Sequence, residues 1–489
     1  MSTASSTTPR VGAPDGPVTA FIDGQRCAAG GAQFLFAPAA APQAGYAIAE
    51  TSAEQVDAAV QAAHRRFMAT RPSALADRID ILERLATAIA TESETLAALI
   101  SHDVGKPIRV ARGEVGRGLE FVRACTAAAG QIGGEVIPVD AVRPGVGRFG
   151  FTRRVPYGVV GAITPFNAPI NLLVQKLAPA LAAGNTVVAK PAPPATRTAL
   201  HLAEALVRQG VAPGVFNVVT GDRAAATALA AHPRVPVVSF TGGVAAAESL
   251  LRHTGVRKFV SELGSSAANI VLADADLDSA AQKIAGAAFE ASGQQCISAQ
   301  RVIVDRRVYP AFVERFVAAA LALRVGRPED EDCSIGPMVS QASADRVMAL
   351  CEDALRHGAR ALLPIVREGL TVHPLVLADL APAARLWHEE VFGPVAVLLA
   401  ADDAEHALRL ANDSPFGLQG ALFTRDLGQI FRFADEFDVG SMWVNEASRF
   451  RLDMYPFGGM KHSGVGREGV RYAIEELSQL KFTGIHWRA

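Results

Sequence analysis

Apolar side chains recur at three- and four-residue spacing over two stretches near the N-terminus. Residues 53–66, AEQVDAAVQAAHRR, and residues 77–101, with Ile79, Leu82, Leu85, Ile89 and Leu96, read as helices packed on a surface. From Val155 the texture changes. PYGVVGAITPFN is an apolar run closed by Pro and Asn. KLAPALAAGNTVVAKPA follows, a helix stopped by Gly184 and Asn185 and then the short buried run TVVAK. A helix over 198–209 ends at Gly210. The strand-like VFNVVTG, another helix and VPVVSFTGG come next. Strands alternating with helices predict βαβ units and a parallel sheet, with the loops after the strands along one edge. A second series begins after Gly255: a strand at 268–272, a long helix over 278–292, a strand in RVIVDRRVY, a helix over 311–323 and a Pro/Gly/acid-rich loop over 326–338. Two more strands are expected, at 148–155 and in the C-terminal LKFTGIHW. An isolated pair of this kind exposes its edges, either capped by charge or paired with another subunit. The pattern leaves both open.

At 489 residues the chain has room for about two to four domains. Half of it is hydrophobic and 20% charged, which excludes a wholly disordered, coiled-coil or collagen-like chain. The formal net charge of −2 gives no reason to expect nucleic acid or an anionic membrane as partner. No apolar run approaches the ~20 residues of a membrane helix. The opening MSTASSTTPRVGAPDGP lacks the apolar stretch of a secretory signal, so residues 1–16 are expected to be a disordered tail. The five cysteines, at 27, 125, 296, 333 and 351, show no metal-type spacing, and no metal is expected. Their odd number points to reduced thiols and a cytoplasmic setting. Only 7 basic residues are Lys against 40 Arg, so each Lys is more informative than usual.

Six places have the residue types for chemistry. Cys296, in FEASGQQCISAQR, is either an inert buried thiol or, given its small polar neighbours, a nucleophile. Glu262, in VSELGSS just after a strand, is either salt-bridged or a buried carboxylate suited to general-base work. Asn167, in TPFNAP, is either a turn residue or an amide donor to an oxyanion. Lys190 ends TVVAK, where open parallel sheets bind ligands, or is a solvated strand end. Gly242 and Gly243 leave N–H groups free at a helix start, a weak phosphate signal by itself. EEVFGP, with Glu390 and Phe392, says little alone.

Together and in this order, TPFNAP, LAPALAAGNTVVAKP, SFTGG, ELGS, GQQCISAQR, EEVFGP and PFGGMKHSGVGREG resemble the aldehyde dehydrogenase superfamily, from about Phe21 to the C-terminus. The resemblance implies an α/β fold of two Rossmann-like lobes with a small β extension for oligomerisation. It implies a dinucleotide-binding domain over 17–137 and 157–259, a catalytic domain over 260–462 and oligomerisation strands at 138–156 and 475–489. It implies a cytoplasmic, hydrolytic NAD(P)-dependent enzyme, a homodimer or homotetramer, oxidising a small-molecule aldehyde to a carboxylic acid. By position, Cys296 would be the nucleophile, Asn167 and the Cys296 N–H the oxyanion hole, and Glu262 the base for the deacylating water. Lys190 and Glu390 would hold the two riboses and Phe392 would pack near the nicotinamide, with Thr164, Phe166, Gly242, Gly243 and Leu263 also against the cofactor. The alternatives are a CoA-acylating semialdehyde dehydrogenase, against which Glu262 argues, and a non-catalytic dinucleotide-binding or structural protein of the same fold.

The sequence departs from the family pattern in places that bear on specificity. Pro193 stands where a ribose-gripping Glu is usual, which favours NADP slightly, with Arg197 a candidate aid. Gly243 replaces the usual Ser after FTG, and Ala247 a usual Gly. Ala168 replaces an aromatic, implying a wide substrate tunnel. The motif mixture is most similar to the branch with lactaldehyde-, phosphonoacetaldehyde- and non-phosphorylating glyceraldehyde-3-phosphate-type members. Arg117, Arg123, Arg449 and Arg451 are candidates to meet an anionic substrate tail, against the alternative of ordinary surface charge.

Overall fold

The computed structural model describes Pro9 and residues 11–487. Most of the stretch expected as a disordered tail, 1–16, lies outside the described residues, as do the last two of the C-terminal strand region. The apolar runs after Val155 become strands. Val159–Thr164, Thr186–Pro191, Phe216–Val218 and Val237–Thr241 are buried at every position. Parallel strands covered by helices on both faces need such unbroken apolar runs. These four and Lys258–Glu262 lie parallel, in the order Phe216–Val218, Thr186–Pro191, Val159–Thr164, Val237–Thr241, Lys258–Glu262. The chain therefore adds strands first on one side of Val159–Thr164 and then on the other. Loops leaving the carboxyl ends at such a reversal diverge and open a crevice. Here they are residues 165–170 and Gly242 with Gly243.

Short antiparallel strands complete this sheet to eight. One of them, Gly464–Val465, pairs with Ser261 and Glu262 and so brings the GVGREG segment beside the end of Lys258–Glu262. The chain then crosses in residues 263–266 to Ala267–Val271 in a second, seven-stranded sheet. Ala299–Asp305 pairs with Ala267–Val271 in parallel after the helix Leu277–Phe289. The loop between that helix and that strand, which contains Cys296, thus stands at the amino end of the second sheet, against the crevice of the first.

Most expected helices lie within a few residues of their pattern: Ala53–Thr70, Thr196–Arg208, Leu277–Phe289 and Tyr309–Leu321. The pattern over 77–101 resolves into two, Leu75–Thr91 and Ser93–Val104. The break is at Glu92, whose carboxylate is held by His201 and Arg208, each at 2.7 Å. The two outlying strands pair with each other in an unbroken antiparallel register, from Ser478 opposite Pro156 to His486 opposite Arg148. Val136–Ile137 covers the far edge of Arg148–Pro156, and the other edge of Ser478–His486 has no strand beside it among the described residues. Leu480, Phe482, Ile485 and Trp487 are exposed there. No helix among the described residues is long and apolar enough to cross a membrane.

Candidate active site

The segment holding Cys296 starts with a tight turn, Glu290–Gly293, in which Ala291 and Ser292 take left-handed φ of 52° and 59°. Such backbone costs non-glycine residues about 1–3 kcal/mol and persists only where neighbours enforce it. Ser292 Oγ donates to Gly336 O at 2.7 Å, and a Cβ on Gly293 would meet Gly393 O at 2.2 Å. The polar residues of GQQCISAQR are then nearly all scaffold. Gln294 Oε1 accepts from the Val339 N–H at 3.0 Å and Gln300 Oε1 from Val391 N–H at 3.3 Å. Ser298 Oγ donates to Ala287 O, and buried Arg301 donates to Leu410 O and Ala411 O at the end of Ala404–Asn412. The thiol is turned instead toward two cavities of about 570 Å³ each, and Cys296 and Asn167 belong to the wall of both.

Asn167 is buried, and no hydrogen bond to the protein ties up its side-chain amide among the described residues. The Cys296 N–H likewise donates to no backbone carbonyl among the described residues. Glu262 ends its strand almost wholly buried, and neither carboxylate oxygen meets a well-formed donor. The Cys296 thiol lies close enough to interact with it. Burial, and next the negative Glu468, push Glu262 up to about 8. Burial, and then Glu262, raise the Cys296 thiol well above its ordinary range. Thiol and carboxyl therefore share a dry site in which one proton, held between them, is cheaper than two charges. Cys296 is half-buried in the wall of both cavities. Arg451 supplies cationic support for its thiolate.

A buried ionic cluster stands behind Glu262. Lys176 Nζ lies 3.1 Å and Arg451 2.9 Å from the two oxygens of Glu468. Burial works against that carboxylate's charge, but Lys176 and then Arg451 outweigh it and hold it down at about 2. Sequence reasoning missed Lys176 and Glu468, although a rare Lys inside a fully buried helix, Asn171–Ala182, was a usable signal. It also missed Lys106 and Glu114, a second buried pair at the cavity wall.

The expected cofactor residues divide. Phe166, Gly242, Gly243, Leu263, Glu390 and Phe392 line one of the two cavities with Glu262 and Cys296. Gly243 is the N-cap of Val244–Thr254, where a Cβ would meet nothing within 4 Å, so its backbone is open to a close ligand. Phe166 and Phe392 meet edge to face at 5.8 Å. Glu390 accepts from Ser265 N–H at 2.9 Å, and burial pushes it up to about 7. Thr164 and Lys190 do not line this cavity. Lys190 is buried at the carboxyl end of Thr186–Pro191 with no carboxylate within 4 Å among the described residues, and burial lowers its ammonium against the pull of Asp222 and Glu50. These groups fit a dinucleotide: an open glycine backbone at a helix start, an aromatic pair and a shielded carboxylate acceptor.

Three expectations need correction. Arg197 is not placed to help with a 2′-phosphate. It is buried, donating to both Asp103 oxygens at 2.8 and 2.5 Å, with its guanidinium 4.6 Å from the Tyr46 ring centre. Arg123 is exposed on Ile108–Ala129 and lines neither cavity. Arg451 lines the second cavity but is committed to Glu468, Gln175 and the Phe457 ring, 3.6 Å away. Arg117 and Ala168 do line that cavity, with Arg117 bidentate on Asp453 at 2.9 and 2.7 Å. Arg449 lines it too, held by Glu290 and by Gln295 at 2.8 Å.

Comparison with known proteins bears on this arrangement. Residues 35–483 match the pattern described as Aldehyde dehydrogenase family. A 3-sulfolactaldehyde dehydrogenase of Priestia aryabhattai is 40% identical over 82% of this chain and 85% of its own. A lactaldehyde dehydrogenase of Methanococcus vannielii is 37% identical over 84% of this chain and 88% of its own. The crystal structure of an NADP-dependent glyceraldehyde-3-phosphate dehydrogenase from Bacillus halodurans C-125, complexed with NADP, superposes with a TM-score of 0.93 at 33% identity, covering 96% of this chain and 100% of that one.

Proposed function

Because the chain belongs to the aldehyde dehydrogenase family and is an NAD(P)-dependent enzyme oxidising an aldehyde to a carboxylic acid, we propose that Cys296 is its nucleophile and that its substrate is anionic. The observation that carries the first part is the position of Cys296 and Asn167 in the wall shared by the two cavities, with Glu262 beside the thiol. Glu262 takes the thiol proton and the sulfur attacks the aldehyde carbon. The carbonyl oxygen turns toward the Asn167 amide and the Cys296 N–H, two donors with no other bond to break. When bound against Phe166, Phe392 and Glu390, the nicotinamide supplies the hydride acceptor. A thioester is left on Cys296. Glu262 releases the thiol's proton to solvent and, again an anion, takes one from the attacking water; the carbon–sulfur bond breaks, the acid product leaves as its carboxylate, and the sulfur regains a proton. Purified enzyme, incubated with NAD⁺ or NADP⁺ and a panel of aldehydes, reduces the cofactor with at least one anionic aldehyde. No reduction with any member of the panel would overturn the reading.

The substrate part rests on charge. The cavity away from the glycine loop has six Lys or Arg and three Glu in its wall. Glu114, Glu290 and Glu446 are each bound to one of these cations, Lys106, Arg449 and Lys283. Arg109 has only a 3.9 Å approach to Glu290, which Arg449 already occupies, and its side chain is 57% exposed. It is the cation best able to meet an incoming carboxylate, sulfonate or phosphate. Relatives are named for both sulfonated and uncharged aldehydes, so the wall decides. Arg109→Ala raises KM for an anionic aldehyde by about 10-fold, from ~1.5–3 kcal/mol for a hydrogen bond to a charged group, and barely changes it for a neutral one of similar size. Arg451→Ala strips a partner from buried Glu468 and slows both substrates alike. A neutral aldehyde equally affected by Arg109→Ala would remove the anionic reading.

NADP⁺ is used at least as well as NAD⁺ in this reading. Pro193, just after Thr186–Pro191, carries no carboxylate, and among the described residues no carboxylate comes within 4 Å of Lys190, Asp222 and Glu50 acting on it from farther away. A kcat/KM for NAD⁺ more than about tenfold above that for NADP⁺ contradicts it. The eight-stranded sheet, with 17–137 and 157–259, would bind the dinucleotide, and 260–462 would supply the thiol. The open edge and exposed apolar residues of Ser478–His486 would pair with a second copy in a homodimer or homotetramer. The five free cysteines suit a cytoplasmic enzyme.

A further inference from the structure

We infer that the buried Lys106–Glu114 pair is a positioning device for the Asn167 amide, an inference that rests on the oxyanion role proposed for Asn167. Residues 167–170 are the last four of the loop, 165–170, that joins the strand Val159–Thr164 to the helix Asn171–Ala182. No side-chain cap of their own holds the start of that helix. Glu114, from the separate helix Ile108–Ala129, takes that place. Its Oε1 accepts from the Ile170 and Asn171 N–H groups at 2.9 and 3.3 Å. These are among the donors a helix leaves open at its start, where a carboxylate also meets the positive end of the helix dipole. Lys106 is locked to the other oxygen of Glu114 and donates to Asn167 O at 2.5 Å. Residues 167–170 are therefore gripped at both ends by one ion pair, with Lys106 and Glu114 only 6% and 8% exposed.

The grip leaves the Asn167 side chain untouched. It fixes the backbone from which the amide projects into the wall shared with Cys296. An oxyanion donor works only if it already stands where charge will develop, and a displacement near 1 Å removes about 10²-fold in rate. A buried ion pair is a costly way merely to stabilise a fold. Here both partners turn their other hydrogen bonds to the same loop segment and the helix start that follows it.

The test is a double-mutant cycle on the full-length enzyme, read as single-turnover reduction of NADP⁺. Lys106→Met slows hydride transfer by about 30-fold, with the aldehyde KM unchanged within about threefold. In an Asn167→Ala background the same substitution costs less than about threefold, because the group it positions is gone. A full loss in both backgrounds would assign the pair to stability alone, and a KM increase confined to anionic aldehydes would assign Lys106 to substrate contact; either overturns the inference. Should Lys106→Met fail to fold, Glu114→Gln, which keeps an acceptor for Ile170 and Asn171 and loses the charge, carries the same cycle with about a fivefold loss. Asn167→Ala at wild-type rate overturns the oxyanion role itself, and the inference with it.

Discussion

Cys296→Ala lowers NAD(P)⁺-dependent aldehyde oxidation by at least about 10³-fold, while the cofactor still binds. No other thiol stands in for it. Cys125, Cys333 and Cys351 are buried, Cys27 is half-buried, and none lines either cavity beside Asn167. Burial pushes Cys333 up to about 11 and Cys351 to about 12, so neither is a thiolate near neutrality. Gly243 is set by the start of Val244–Thr254, and Phe166 and Phe392 meet edge to face, so those surfaces survive the substitution. Turnover by absorbance of reduced nicotinamide, together with fluorescence titration of NADPH, checks both halves. Activity within tenfold of wild type would remove Cys296 as the nucleophile.

Glu262→Gln stalls the enzyme after hydride transfer. One reduced cofactor per subunit appears in a burst, and steady turnover then runs about 10²-fold slower or less. The substitution mimics the protonated carboxyl, which burial already favours at this position, so the fold tolerates it. The same shift sets the pH dependence. A general base acts as its anion, and with Glu262 raised to about 8 only a minor share is ionised at pH 7. Wild-type steady-state turnover therefore climbs with rising pH through about 8, and the Gln variant lacks that climb. The burst in Glu262→Gln is complete but slower, since the thiol has lost its nearest proton acceptor. Wild-type steady turnover in the variant would assign the water's proton to another group.

Where neighbours along the chain set the outcome, the sequence was legible. The runs VVGAIT, TVVAK and VVSFT became parallel strands because all their side chains but Lys190 are apolar or small enough to be buried on both faces. Gly and Pro marked their ends. The position of Cys296 before a strand and of Glu262 at the end of one followed from those patterns together with the motif resemblance, and the fold brings the two together. The split of 77–101 at Glu92 was not legible, because its cause is His201 and Arg208, more than a hundred residues away.

Partners of buried charge belong to the same class. Arg197 reads locally as a cation beside a ribose-binding strand, yet Asp103 claims it from 94 positions away. Arg451 reads as a loop arginine at a substrate mouth, yet it is folded inward against Glu468, itself held by Lys176 at a separation of 292. Lys106 sits in an unremarked turn until Asn167, 61 positions on, is brought to it. Secondary structure and the order of chemical groups follow from local periodicity and turn chemistry, which a chain displays along its length. Burial of a charge is decided by which other charge the packed chain delivers to it. Unpaired, each would cost several kcal/mol in a dry interior, so these pairings exist only in the tertiary structure.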